Sequence, residues 1–319
     1  MKRHKECVLI GVPIHQGAGR LGCDMGPGAF RAAGLASILE DLGYRVEDWG
    51  NLEPWLVSPR THSNGRLKNL AEVAGWTAAI EDVSFRASKE ALPIFLGGDH
   101  ALSAGSMTGM SRRAAIEQRP LYVLWLDAHP DFHNLETSIS GNLHGVPMAY
   151  ATGRNGFSPW FPHVAHPINP RNVCMMGIRS VDYAEREAFT DVGMTVYDMR
   201  AIDEHGVVSL LDRFLSKVAA DNGRLHVSLD VDFLDPDIAP GVGTCVPGGA
   251  TFREAHHIME MLCDSGLVGS LDLVELNPFL DERGRTATLM VDLTASLMGR
   301  RVLDHNTSTN LILPVSASS

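Results

Sequence analysis

The sequence predicts an α/β fold in which helices cover both faces of a parallel β-sheet. Eight apolar runs rich in β-branched residues recur along the 319 residues, separated by segments whose apolar residues have helical spacing. Strands that alternate with helices in this way form parallel sheets. The pattern does not distinguish an open sheet from a closed barrel. In both cases ligands bind at the carboxyl ends of the strands.

The predicted elements follow one another along the whole chain. A helix is expected over 27–43, since proline is favoured in a first turn and glycine at a helix end. Further helices are expected from residue 144 through 150, after residue 182, and over 287–303. We assign the eight strands, in chain order, to residues 8–12, 45–48, 93–96, 121–126, 172–178, 194–197, 225–229 and 270–274.

Composition excludes several classes of partner. The chain is 45% hydrophobic and 20% charged, so we expect a single globular domain over 1–319, with 305–319 as a disordered tail or a subunit contact. The net charge of −11 and pI of about 5.6 argue against nucleic acid and anionic membranes. No apolar stretch has the length of a membrane span. The five cysteines are scattered without C-x-x-C spacing, which is typical of reduced thiols in a cytoplasmic protein.

Two of the predicted strands end in regularly spaced acidic and histidine residues. The fourth strand runs into Asp-Ala-His-Pro-Asp at 127–131, and the seventh runs into Asp-Val-Asp at 230–232. Alternate side chains of an extended backbone share a face, so Asp127, His129 and Asp131 are expected to project together. The proline before Asp131 has no N–H group, and it is expected to end the strand pairing.

These side chains indicate a metal site rather than isolated turn formers or helix caps. Four carboxylates gathered without cations would repel one another, and Asp and His ligands without cysteine suit Mn²⁺ and its neighbours. Gly-Gly-Asp-His at 97–100 follows the third strand, so His100 is expected at the same edge, with Asp99 orienting its ring. The expected metal ligands are His100, Asp127, His129, Asp131, Asp230 and Asp232.

Six side chains satisfy two octahedral ions only when some of them bridge, and we assign the bridging positions to Asp127 and Asp232. Four carboxylates balance two divalent cations, and a bridging hydroxide then makes the centre slightly anionic. Two ions about 3.5–4 Å apart lower the pKa of the water between them and hold it as a nucleophile. Such a centre should attract a cationic substrate.

Other strand ends supply candidate substrate contacts. The polar segment 132–145 has no periodicity, which is typical of a ligand-binding loop. Asp182 and Glu185 follow the fifth strand, where they are equally typical of charges at a helix N-terminus. Thr244 lies in a loop after the seventh strand, and Glu275 follows the eighth.

The segment Gly-Ala-Gly-Arg-Leu-Gly at 17–22 matches the dinucleotide-binding fingerprint G-x-G-x-x-G. Its context differs, because the last glycine of that fingerprint lies in a helix, whereas two glycines flank a proline at 26–28 here. A dinucleotide-dependent oxidoreductase is therefore a weaker alternative. A binding protein that retains metal ligands without turnover is another.

Five motifs, taken together and in this order, resemble those of the ureohydrolases and among them the arginases. They are Gly-Gly-Asp-His at 97–100, Asp-Ala-His-x-Asp at 127–131, Ser-Gly-Asn-Leu-His-Gly at 140–145, Ser-Leu-Asp-Val-Asp at 228–232 and Glu-Leu-Asn-Pro at 275–278. The resemblance covers nearly the whole chain. It implies an open three-layer α/β/α fold with a mainly parallel eight-stranded sheet and two Mn²⁺ ions. It also implies that His100, Asp127, Asp131 and Asp232 hold one ion, and Asp127, His129, Asp230 and Asp232 the other.

The same resemblance implies hydrolysis of L-arginine to L-ornithine and urea by a metal-bridging hydroxide that is hydrogen-bonded to Asp131. Glu275 is then expected to hold the guanidinium group, and His144 to carry protons to the leaving amine or from bulk water. The 140–144 segment implies an arginase rather than an agmatinase, since it lines the pocket for the α-carboxylate. The expected substrate contacts are His133, Asn134, Ser140, Asn142, Asp182, Glu185, Thr244 and Glu275.

One position departs from the family pattern. Arginases carry an asparagine two residues after the last Asp of the 127–131 motif, where this chain has His133, followed by Asn134. A histidine can still donate a hydrogen bond to a carboxylate. Hydrolysis of another guanidino compound, such as agmatine or a guanidino acid, is therefore the alternative. Members of the family are commonly trimers or hexamers, so the resemblance implies a homotrimer or homohexamer.

Overall fold

The computed structural model describes residues 6–189 and 192–301, so the predicted tail at 305–319 lies outside the described residues. All eight predicted strands are confirmed, and they form one sheet in the order β2-β1-β3-β8-β7-β4-β5-β6. Every neighbouring pair is parallel. The strands are β1 (Glu6–Val12), β2 (Arg45–Asn51), β3 (Leu92–Gly97), β4 (Leu121–Leu126), β5 (Val173–Ile178), β6 (Thr195–Asp198), β7 (Arg224–Asp230) and β8 (Val268–Val274).

The sheet is open and helices cover both of its faces, which confirms the three-layer α/β/α architecture. One face packs against α3 (Leu70–Ala87), α4 (Leu102–Ile116) and α5 (Pro147–Ala151). The other face packs against α1 (Gly26–Ala32), α2 (Leu35–Asp41), α7 (Met199–His205), α8 (Val207–Ala220), α9 (Phe252–Ser265) and α10 (Arg285–Leu297). The short helix α6 (Tyr183–Phe189) follows β5. Within the described ranges, no helix is both long and apolar enough to cross a membrane.

Three predicted helices differ from those observed. The helix expected over 27–43 is divided into α1 and α2 at Gly34, whose φ of 85° is left-handed. Both helices bury residues in the same core. The apolar residues therefore keep their helical spacing across the break, and the sequence pattern resembles that of one helix. The helix expected over 144–150 begins at Pro147, after a 3₁₀ turn at Leu143–Gly145. The helix expected over 287–303 ends at Leu297.

Backbone hydrogen bonds tie together the loops at the carboxyl edge of the sheet. The Gly98 N–H donates to Val12 O at 2.8 Å, and the Glu275 N–H donates to Gly98 O at 2.8 Å. The loop after β3 is therefore fixed to the loops after β1 and β8. A Cβ atom at Gly98 would overlap Ile14 O, so this close approach requires glycine.

We predict that Gly98→Ala lowers the free energy of unfolding by about 2 kcal/mol or more, since the backbone must shift to admit the methyl group. Gly28→Ala is the matched control, because Gly28 lies in α1 with no atom within 4 Å of its would-be Cβ. The control should gain roughly 0.5–1 kcal/mol from helix propensity. Urea unfolding of both variants measures the difference, and equal stability of the two would contradict this account.

Candidate active site

Six acidic and histidine side chains from three loops converge at the carboxyl edge of the sheet. His100 Nδ1 lies 2.9 Å from Asp230 Oδ2, 3.0 Å from Asp127 Oδ2 and 3.4 Å from Asp131 Oδ2. His129 Nδ1 lies 3.1 Å from Asp232 Oδ2 and 3.5 Å from Asp127 Oδ1. Asp127 thus turns one carboxylate oxygen toward each histidine.

The ligands of the 127–131 segment converge because the backbone turns, not because it is extended. Strand β4 ends at Leu126, so strand pairing ends before the proline that was expected to end it. Asp131 has a left-handed φ of 47°. The alternation of an extended strand therefore does not account for the shared face. A tight turn returns the Asp131 side chain toward His100.

The structure also changes the expected division of the ligands. Asp230 Oδ2 is 2.9 Å from His100 Nδ1, whereas Asp232 contacts His129 and accepts a hydrogen bond from Thr244 Oγ1 at 2.9 Å. Asp230 thus takes the position beside His100 that sequence reasoning assigned to Asp232. The reason is local, because a 3₁₀ turn begins at Val231, directly after β7, and points the two aspartates in different directions.

The donor set fits two divalent cations. His100 Nδ1 and Asp127 Oδ2 are buried and 3.0 Å apart, yet neither has a hydrogen-bond partner among the described residues. Buried polar atoms that lack a protein partner are typical of a site that binds an ion. Burial, followed by the charges of neighbouring carboxylates, raises the pKa of Asp131 and of Asp230 well above the usual value. Cations relieve this repulsion, and imidazole and carboxylate donors suit manganese and similar metals.

Asp99 does not orient the His100 ring as expected. Its carboxylate accepts hydrogen bonds from the backbone N–H groups of Gly17, Ala18 and Ala101 at 2.8–3.0 Å. The group that faces the second ring nitrogen of His100 is Ser228, whose Oγ lies 2.8 Å from Nε2. Sequence reasoning missed Ser228. The available signal was a serine inside a strand that should be apolar throughout.

The G-x-G-x-x-G segment at 17–22 serves a structural purpose here. The N–H groups of Gly17 and Ala18 donate to the buried Asp99 carboxylate, so they are not available to bind a pyrophosphate. The negative charge of Asp99 would also repel a pyrophosphate. The helix α1 begins only at Gly26, after a 3₁₀ turn. The geometry therefore lacks the strand, turn and helix that dinucleotide binding requires.

Glu275 and His144 form a pair at the inner end of the site. His144 Nδ1 lies 2.8 Å from Glu275 Oε1, which also accepts the His100 N–H at 2.9 Å. Burial opposes charge on His144, but the charge of Glu275 and its hydrogen bond raise the pKa of His144 to about 9. Glu275 is buried with a left-handed φ of 64°. A strained, buried carboxylate held by two donors is typical of a binding site.

The cavity that these residues line has a volume of about 260 Å³. At its outer end His133 Nε2 lies 3.1 Å from Asp182 Oδ2 and 3.7 Å from Glu185 Oε2. The buried Glu185 also accepts the N–H groups of Phe132 and Asp182 at 2.9 and 3.1 Å, so it joins two loops. The residues that line the cavity include His129, Asp131, His133, Ser140, Asn142, His144, Asp182, Glu185, Asp230, Asp232, Thr244 and Glu275.

Two asparagines of the 132–145 loop have different roles. Asn134 is not among the described residues that line the cavity. Its Oδ1 accepts the N–H groups of Glu136 and Thr137 at 3.1 and 2.9 Å, so it forms a turn. Lys68 was missed by sequence reasoning, and its Nζ donates to Asn142 Oδ1 at 2.8 Å. No local sequence signal identifies this lysine, because it lies far from Asn142 in the chain.

Comparisons with known proteins agree with this geometry. The model of the Arginase family matches residues 5–299. An arginase of Brucella melitensis biotype 1 is 62% identical over 302 residues, which cover 95% of this chain and 99% of that protein.

Solved structures are similar over the same range. The crystal structure of arginase from Bacillus cereus matches with a TM-score of 0.84 and 36% identity, covering 93% of this chain and 99% of that one. That of Entamoeba histolytica arginase in complex with L-ornithine matches with a TM-score of 0.83 and 27% identity, covering 93% and 100%. With these matches over nearly its whole length, the chain belongs to the arginase family.

Proposed function

We propose that this protein hydrolyses L-arginine to L-ornithine and urea at a centre of two Mn²⁺ ions. The observation that carries the proposal is that four of the six metal-ligating groups and the Glu275–His144 pair line one cavity, with His100 and Asp127 buried directly against those ligands. Family membership supports the same reaction. Two adjacent divalent cations supply an ionised water as a nucleophile near neutral pH. The protein's own side chains then have to hold the guanidinium group, direct the attack and move protons.

We assign the ions to the ligands that the distances suggest. His100, Asp127, Asp131 and Asp230 would hold one ion, and Asp127, His129 and Asp232 would hold the other. Asp127, which turns one carboxylate oxygen toward each histidine, would then be common to both sets. Asp131, which faces the first position with 13% of its side chain exposed, is also placed to accept a hydrogen bond from the attacking water.

Glu275 is the proposed partner of the guanidinium group. A carboxylate pairs with a planar guanidinium through two parallel hydrogen bonds, and the N–H of His100 holds this carboxylate in place at 2.9 Å. Burial opposes its ionisation, but the charge and hydrogen bond of His144 lower the pKa of Glu275. The group is therefore anionic where a cationic substrate must bind.

His144 is the proposed proton carrier. Its pKa of about 9 keeps the ring protonated at neutral pH while it faces Glu275. An imidazolium at this point can donate a proton to the departing amine and recover it from solvent, since 18% of its side chain is exposed.

The outer end of the cavity is proposed to bind the α-amino and α-carboxylate groups of arginine. Ser140 and Asn142 offer hydrogen-bond donors, and Asp182 offers a carboxylate to the ammonium group. His133 would hold that carboxylate in place, since its Nε2 lies 3.1 Å from Asp182 Oδ2. Lys68 donates to Asn142 Oδ1, so the Asn142 amide is oriented with its NH₂ group free to donate to a carboxylate. Agmatine has no α-carboxylate, so in an agmatine complex the hydrogen-bond donors at the outer end of the cavity would have no partner.

Three further properties are part of the proposal. The cysteines of the described ranges are free thiols, which supports a cytoplasmic location. Family resemblance supports a homotrimer or homohexamer. The carboxylate and imidazole donors support manganese, although cobalt or ferrous iron suits the same ligands.

We predict that protein stripped of metal and reloaded with Mn²⁺ releases urea from L-arginine, with kcat/KM about 10²-fold above that for agmatine. The preference follows from leaving the polar outer groups unpaired in the agmatine complex. A colorimetric urea assay with both substrates tests it. A higher kcat/KM for agmatine would assign the protein to the alternative activity, and no urea from either substrate would refute the proposal.

Lys68→Met should lower kcat/KM for arginine about tenfold, because the Asn142 amide loses its orientation and a nearby positive charge is removed. The same variant should leave agmatine hydrolysis within about twofold, as agmatine lacks the group that Asn142 contacts. Equal losses for both substrates would show that Lys68 does not act on the amino-acid end.

His144→Ala should lower kcat about 10²-fold, the usual contribution of a general acid, while bound manganese stays at the wild-type level. His257→Ala is the control, because His257 is exposed on α9. Metal content by elemental analysis and kcat from initial rates separate the two effects. Loss of manganese from His144→Ala would contradict the assigned role.

A further inference from the structure

A second set of polar side chains lies beneath the candidate metal ligands, between the sheet and α4. The proposed mechanism does not use it. Each member is buried with 0% exposure, beside the apolar residues that pack α4 against the sheet. We call this set the buried network, and it consists of His226 and Ser228 on β7, Ser270 and Asp272 on β8, and Ser103 and Ser106 on α4.

The network contacts the metal site at one point. His100 Nε2 lies 2.8 Å from Ser228 Oγ, and Ser228 Oγ lies 3.4 Å from Ser103 Oγ. Ser103 Oγ in turn donates to Asp272 Oδ2 at 2.7 Å. An unbroken path of polar atoms thus connects the ring of His100 to a carboxylate inside the core.

Strand register explains why these residues meet. Ser228 on β7 and Asp272 on β8 are direct neighbours in the parallel ladder. Side chains two residues apart on a strand share a face, so Ser228 points to the same side of the sheet as Asp230. Helix α4 begins two residues after His100. Ser103 in its first turn therefore lies against both Ser228 and Asp272.

Asp272 is held by donors on more than one side. Ser106 Oγ donates to Asp272 Oδ2 at 2.6 Å, and His226 Nε2 lies 3.1 Å from the same oxygen. The other ring nitrogen of His226 lies 2.8 Å from Ser270 Oγ. The contacts of Ser106 and His226 are made to Asp272 Oδ2. They are not part of the path from Asp272 to His100.

One direction of donation gives each contact on the path from Asp272 Oδ2 to His100 Nε2 one donor and one acceptor. A carboxylate only accepts hydrogen bonds, so the Ser103 hydroxyl hydrogen points to Asp272. The Ser103 oxygen is then left to accept the hydrogen of Ser228. The Ser228 oxygen in turn can only accept from His100, which requires hydrogen on Nε2 and leaves Nδ1 with a free lone pair. Nδ1 is the atom that faces Asp127, Asp131 and Asp230.

We propose that Asp272, acting through Ser103 and Ser228, is a positioning residue that holds His100 in the tautomer able to bind a cation through Nδ1. The proposal rests on the metal centre of the proposed function. The stacked ring of Trp125, 4.0 Å away with an interplanar angle of 3°, fixes the plane of His100. Stacking alone leaves the position of the proton open, and the buried network determines it.

The chain offers a matched pair of variants for the test. Ser103 and Ser106 lie one turn apart on α4, are equally buried, and donate to the same oxygen of Asp272 at 2.7 and 2.6 Å. Only Ser103 lies on the path to His100. In Ser103→Ala the Ser228 hydroxyl has lost its acceptor and can donate to His100 Nε2 instead. His100 can then carry its hydrogen on Nδ1, and this tautomer cannot bind a cation through Nδ1. Ser106→Ala removes a similar hydrogen bond without this effect.

Metal binding is measured by titrating the metal-free proteins with Mn²⁺ and following the free ion by electron paramagnetic resonance, in the absence of substrate. We expect Ser103→Ala to weaken one of the two ions about tenfold, as for other groups that orient a metal-binding histidine. The second ion should be unchanged, and Ser106→Ala should bind both within about twofold of wild type. Ser228→Ala removes the path from the strand side and should repeat the effect of Ser103→Ala.

The outcomes separate the two proposals. Equal weakening in Ser103→Ala and Ser106→Ala, or wild-type binding in both Ser103→Ala and Ser228→Ala, would overturn the role of the buried network. If Ser103→Ala does not fold, the comparison of Ser228→Ala with Ser106→Ala gives the same decision. Failure of the wild-type protein itself to bind two Mn²⁺ ions would instead refute the metal centre.

Discussion

Repulsion among acidic groups at one edge of the sheet is the constraint on which the rest of this structure depends. Asp127, Asp230 and Asp232 are at most 2% exposed, and Asp131 adjoins them. A buried charge that lacks compensation costs several kcal/mol, so these loops are stable in this arrangement when cations offset the repulsion. The fold therefore has to present the ligands on a rigid frame, and an open parallel sheet, with its strands ending at a common edge, supplies that frame.

The frame carries local strain where the ligands need it. Asp131 and Glu275 both have left-handed backbones, which cost about 1–3 kcal/mol each for residues with a side chain. Backbone hydrogen bonds between the loops oppose this cost, and the Gly98 peptide contributes two of them. Beneath the edge, the buried network places several donors around one oxygen of a buried carboxylate, Asp272 Oδ2.

The strands were the part of the fold that sequence reasoning predicted well. Parallel strands buried on both faces are apolar along their length, so the pattern is strong. The spacing of apolar residues does not reveal the break between α1 and α2 at Gly34, because a single residue with a left-handed backbone leaves that spacing unchanged. His226 and Ser228 were passed over as members of an apolar run, although a polar residue at every second position of a buried strand indicates a polar face in the core.

By itself, the sequence determined the α/β class, the eight strands and the set of acidic and histidine residues that follow them, because these depend on composition and short-range periodicity. Only the tertiary structure decided that Asp230 rather than Asp232 lies beside His100, that Asp99 holds a backbone loop, and that Lys68 orients Asn142. Each of these depends on turns and on contacts between distant segments. A side chain's direction after a strand ends is set by φ and ψ angles and by neighbouring loops, and residue spacing carries no record of either.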